Sequence, residues 1–170
     1  MKMTDLFLAD LEREAVLARR VLERAPEGRD DWKPHEKSMQ LGYLATLVAT
    51  LPGWIDMMVN QDQIDMRPKD GSSYRPKVLE TTHERLAALD ESVAKARKAL
   101  ENTTDEHLLT PWKFLVRGQV VSENPRHIMI RDAVFSHLAH HRGQLTVYLR
   151  LNDMAVPAIY GPSADEGRFD

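Results

Sequence analysis

Apolar residues in this chain recur at steps of three and four in four separate stretches, and no long stretch alternates apolar with polar. That pattern predicts amphipathic helices rather than half-buried strands. The first predicted helix runs from about Thr4 to Ala25 on Leu8, Leu11, Ala15, Ala18 and Leu22, with Thr4 expected to cap its start and Pro26 and Gly28 to end it. The second covers about Ser38 to Asn60 on Leu41, Leu44, Leu47, Val48 and Leu51, with a kink or break expected at Pro52-Gly53. Gln61 to Pro76 is rich in Asp, Gly, Ser and Pro and reads as a loop. A third helix is expected from about Lys77 to Asn102 and a fourth from Pro125 to Asn152, Pro125 being suited to a helix start. Between them, Thr103 to Asn124 carries apolar clusters split at Arg117-Gly118, which reads as a short hairpin or an irregular excursion. The last residues hold Pro157, Gly161 and Pro162, too many breakers for a further helix. The expected fold class is therefore all-α: a four-helix bundle in a single domain over residues 1–170, with that excursion and an extended C-terminal tail.

Composition narrows the chemistry. The chain has 170 residues and no cysteine, so disulfides, thiolate metal sites and a cysteine nucleophile are excluded. Histidine, aspartate and glutamate are left as the strong metal ligands, and there are seven histidines. A formal net charge of −3, with acids and bases interspersed, lacks the basic stripe a phosphate backbone requires, so no nucleic-acid partner is expected. Acids where a signal peptide would carry its apolar run, and no evident stretch of about 20 apolar residues, predict a cytoplasmic protein with no membrane partner.

The fourth helix holds the most informative chemistry, in RDAVFSHLAHHRGQLTVYLRL. His137 and His141 are one helical turn apart, so their rings project from one face and can converge on a single ion. Their stripe, with Ile130, Val134, Leu145 and Tyr148, is mostly apolar and is expected to face inward. His140 falls roughly 100° around the helix and reads as a surface or supporting residue. His35, His83, His107 and His127 read as solvated side chains. Gly143 inside a helix suggests close approach by another helix or a partner subunit. Arg142 and Gln144 are candidates to orient ligands or bind an anion. No Gly-rich phosphate loop, GxSxG elbow, HExxH or paired-carboxylate motif is present.

Three blocks resemble the DinB family, also described as DinB/YfiT-like metalloenzymes: HEKSMQLGYLATLVATLPGW (His35 to Trp54), SHLAHHRGQLTVYLRL (Ser136 to Leu151) and VPAIYGPSADE (Val156 to Glu166). They stand in the family's order and span nearly the whole chain. The resemblance implies a four-helix bundle, commonly a homodimer, holding a divalent metal on three histidines, one from the second helix and an i, i+4 pair from the fourth. His137 and His141 match that pair as metal ligands. The second-helix position aligns with Leu47, which cannot ligate. The family then implies a metal-dependent enzyme, a thiol S-transferase or a hydrolase acting on a small molecule or thiol. Here its divalent site (zinc, nickel or manganese) is weakened. Tyr160 on the tail is a candidate for the site's entrance or for packing of the tail. The competing expectation is a non-catalytic, stress-associated dimeric bundle that has lost the metal and binds a small ligand or partner.

Overall fold

The computed structural model describes residues 2–70 and 77–167. Helix α1 spans Met3–Leu22. Its expected cap, Thr4, lies inside the first turn and is buried. The freed N–H groups of Met3 and Thr4 instead donate to the Asp105 carboxylate. Helix α2 (Leu41–Thr50), a 3-10 turn (Leu51–Gly53) and α3 (Trp54–Asn60) follow one another, so the Pro52-Gly53 break is a tightened turn within a nearly continuous rod. Contrary to the sequence reading, Leu41–Asn60 is long and apolar enough to cross a membrane, with mean hydropathy 1.2, but 67% of that window is buried in the fold. Helix α4 (Thr82–Glu101) opens on a capping box in which Thr81 Oγ1 accepts from the Glu84 amide at 3.2 Å and Glu84 accepts from the Thr81 amide. A short α5 (Asp105–Leu108) begins at a Thr104 cap.

The all-α expectation is corrected here, because the chain also builds a three-stranded sheet. Strand β1 (Gln63–Asp65) lies inside the stretch expected to be loop, whose positions 71–76 are outside the described residues. It pairs in parallel with β2 (Pro111–Val116), which pairs antiparallel with β3 (Gln119–Pro125). Arg117 and Gly118 take φ of 55° and 74°, the pair of positive angles that a two-residue type I′ hairpin needs. Asp65 fastens this turn by accepting from the amides of Arg117 and Gly118. The physical reason for the miss is that β1 has three residues and β3 is largely exposed. Neither carries a buried alternation, and the β1–β2 ladder joins segments about fifty positions apart.

Helix α6 (Arg126–Ile130) leads through a π turn (Arg131–Ser136) into α7 (His137–Leu151). Helix α1 packs on α4, α4 on α2 and α3, and α2 on α7. Two apolar clusters fill these contacts. One gathers Leu22, Leu44, Val48, Leu138 and Leu149; the other gathers Ile55, Met58, Leu100, Trp112 and Ile130. Trp54 is packed against both.

Gly42 in α2 is needed for packing. A Cβ there would stand 2.6 Å from Asp30 Oδ1 and 2.8 Å from Val78 Cγ1. Asp30 cannot give way cheaply, because its Oδ1 accepts from the fully buried Arg85 at 2.6 Å. Arg85 also donates to the carbonyls of Leu79, Glu80 and Ala25.

Asp153, at φ 58°, ends α7, and the Met154 amide returns to the Leu149 carbonyl at 3.0 Å. The tail then folds back on ion pairs: Arg150 with Asp165, and Arg20 and Arg24 with Glu166. The Arg150 contact, then the Val156 amide, holds the Asp165 carboxyl below its ordinary value. The Arg24 contact, then the Ala158 amide, does the same for Glu166.

Gly42→Ala is expected to lower unfolding stability by about 1–3 kcal/mol, read from a denaturant midpoint. An unchanged or raised midpoint would contradict the packing role. Because both tail carboxylates are depressed in the fold, their contribution is complete above the ordinary values of 3.8 and 4.5 and is lost as pH falls through the lowered ones. Amide-exchange protection at Val156 and Ala158, corrected for intrinsic rates, should therefore hold at pH 6 and collapse in acid; protection independent of pH contradicts the assignment.

Candidate metal centre

The π turn before α7 widens the helix, a feature concentrated at functional sites. One of its residues, Ala133, presents the carbonyl to which His137 Nδ1 donates at 3.3 Å. One turn on, His141 Nδ1 donates to Gln144 Oε1 at 2.8 Å. A carbonyl oxygen can only accept, so these two contacts favour the tautomer with its hydrogen on Nδ1 in each ring, which leaves a lone pair on Nε2. Those two Nε2 atoms are 2.7 Å apart. Fixing one ring nitrogen by an acceptor so that the other is free to coordinate is the arrangement that supports metal-bound histidines.

His141 is buried, at 4% exposure, and His137 is half-buried. Desolvation is the largest cause pushing both pKa values below 6.5; the bonds to Ala133 and Gln144 oppose it in part. Both shifts favour the neutral imidazole, the form that can coordinate an ion. Trp54 meets the His137 ring edge-on at 6.0 Å, and the exposed His140 lies 5.0 Å from the His141 ring, beside the pair rather than in it.

Among the described residues, no third ligand joins them. Leu47 is 6% exposed and belongs to the core cluster with Leu138 and Leu145. Nearby Thr46 Oγ1 accepts from the Leu79 amide, and Thr50 Oγ1 donates to the Thr46 carbonyl. Among the described residues, no group of three or more His, Cys, Asp or Glu is placed to hold an ion.

Next to the pair, Arg142 is 1% exposed and donates to Glu14 Oε2 at 2.5 Å and to the Tyr160 hydroxyl. Tyr160 in turn donates to Glu14. Tyr160 thus straps the tail to α1 and α7, and its position supports packing of the tail rather than a site entrance. Burial, then the Glu14 contact, raises its hydroxyl above the usual tyrosine value. Gly143 is exposed, with nothing within 4 Å of where a Cβ would stand, so no close approach within the chain requires it. His35 and His83 are exposed as expected. His107 and His127 are not simply solvated: each is half-buried and bonded to a carbonyl, of Val59 and Leu108 respectively. Gln144 as the anchor of His141 was readable from its i+3 spacing. Neither the Glu14 partner of Arg142 nor the π turn left a signal in the pattern.

A family model described as DinB family matches residues 1–168. The chain belongs to the DinB family. It is similar in fold to a DinB-like protein from Bacillus cereus, at 21% identity and a TM-score of 0.70 over 91% of this chain and 95% of that one. It is similar also to a DinB-like protein from Bacillus subtilis, at 16% identity and a TM-score of 0.65 over 88% and 94%. No curated protein matches. DinB family members are often metal-binding, and the two converging imidazoles fit that chemistry as far as two ligands can.

Proposed function

We propose that this DinB-family chain is a metal-dependent enzyme of the transferase or hydrolase class, with a two-histidine divalent site on His137 and His141. The observation that carries the reading is that both Nδ1 atoms are tied to carbonyl oxygens while both Nε2 atoms face one point. Two bare lone pairs 2.7 Å apart repel unless a cation or a proton sits between them, and neutral imidazoles are what a divalent ion requires. Zinc, nickel or manganese are the ions considered. A bound ion with open positions lowers the pKa of water or of a thiol and so supplies a nucleophile at neutral pH. Within the chain, Ala133 and Gln144 orient the two rings and Trp54 covers the edge of His137. Leu47 closes the position where a third histidine would stand. Two ligands hold an ion more loosely than three, so occupancy depends on metal concentration.

Helix α7 leaves Gly143, Val147 and Leu151 exposed at four-residue steps, which supports a homodimer through that face. A cytoplasmic site of action, away from membranes and nucleic acid, is part of the same reading. The buried Leu47 favours the second reading, in which the scaffold has lost the metal and binds a small ligand or partner without catalysis.

Calorimetric titration of the metal-free chain with zinc, nickel and manganese separates the two. The enzyme reading expects saturable binding of one ion per chain, lost in His141→Ala and tightened by at least about tenfold in Leu47→His. A folded wild-type chain that binds none of the three ions supports loss of the metal.

A further inference from the structure

A second cavity, of about 350 Å³, opens between the end of α2, α3, β1 and α4. Its walls are mainly apolar, from Trp54 and Met57 on α3, Ile64 on β1 and Ala88 on α4. Trp54 is common to this cavity and to the edge of His137, so one indole divides the two.

Among the described residues, the charges lining the cavity are Asp56, Glu91 and Lys95. Lys95 Nζ lies 2.6 Å from Glu91 Oε1, so these two offset each other. Asp56 accepts from the neutral Asn60 amide at 2.8 Å, a contact that leaves its negative charge in place; Lys95 feels it only weakly beside Glu91. The cavity therefore combines an aromatic wall, an apolar floor and a net charge of one carboxylate. A cation is attracted both by the face of an indole and by a carboxylate, and an apolar body attached to it gains by leaving water. The volume stands at the lower end of the range for small-molecule pockets, roughly 300–1,000 Å³, which suits a single-ring body.

We infer that this cavity binds a small primary ammonium carrying a compact apolar body, of the arylalkylammonium class, with Asp56 as the counter-charge. The inference is independent of the metal reading, because neither His137 nor His141 lines the cavity.

The test uses the full chain and phenethylammonium, followed by amide and indole chemical shifts, with 3-phenylpropanoate as the anionic counterpart of the same shape. Saturable shifts centred on Trp54 are expected for the ammonium, with the carboxylate binding more weakly. Asp56→Asn should weaken the ammonium by about fivefold or more, and Ala88→Leu, which fills the cavity from a half-buried position of α4 where leucine suits the helix, should abolish it. Lys95→Gln leaves Glu91 unopposed and should tighten ammonium binding, which keeps the charge argument open to test if Asp56→Asn fails to fold. Absent binding, equal or tighter binding of 3-phenylpropanoate, or saturable ammonium binding that survives Ala88→Leu in a folded chain would each overturn the inference.

Discussion

Arg142 brings a full charge into the interior one residue after His141, and the surrounding fold is arranged to answer it. Glu14 from α1 and the hydroxyl of Tyr160 from the tail both meet its guanidinium, which at 1% exposure has little recourse to water. Removing one partner of such a buried pair costs about 3–5 kcal/mol, because the other charge is stranded. The same contact joins α1, α7 and the tail. Arg142 is turned toward α1, and His141 one residue earlier lies on the buried stripe with Leu138, Leu145 and Tyr148. The histidine site thus stands beside a buried ion pair, to which the tail contributes Tyr160.

Two other arginines are used in the same way. Arg85 ties the start of α4 to the loop before α2 through Asp30, and Gly42 is small because Asp30 occupies the space above it. Arg126, 2% exposed, joins α6 to β2 and to the residues before β1 by donating to Thr110, Pro111, Gln61 and Asp62. In a cysteine-free chain these buried guanidinium forks link elements far apart in sequence, where each can satisfy several carbonyls at once.

The long helices were legible because α1, α4 and α7 repeat their apolar residues over several turns, so the 3.6-residue period accumulates. Leu138, Leu145 and Tyr148 are buried as that period requires, and His141 lies on the same stripe. The sheet was legible in part: the Arg117-Gly118 split marked the β2–β3 hairpin as one of two readings, whereas β1 and its ladder to β2 left no pattern. Its residues Ile64, Phe114 and Leu115 are held by backbone ladders between distant segments, and a bulge at Phe114/Leu115 breaks even the local alternation. Thr4 looked like a cap because capping residues are recognised by type, whereas the actual acceptor, Asp105, comes from the far end of α4's connection. The histidine pair was readable from spacing, and its missing third partner from the family pattern at Leu47. The tautomers were not, because they depend on which way the Ala133 carbonyl and the Gln144 amide point.

Those tautomers carry the account, since a site for a divalent ion exists only if both Nε2 atoms are bare and turned toward each other. Nitrogen-15 shifts and two-bond couplings of the imidazoles, in metal-free protein above pH 7, read the tautomers directly. Both His137 and His141 are expected to show a protonated Nδ1 and an unprotonated Nε2. A protonated Nε2 on either ring would mean that the two histidines satisfy each other by an ordinary hydrogen bond, and would contradict the metal-site reading.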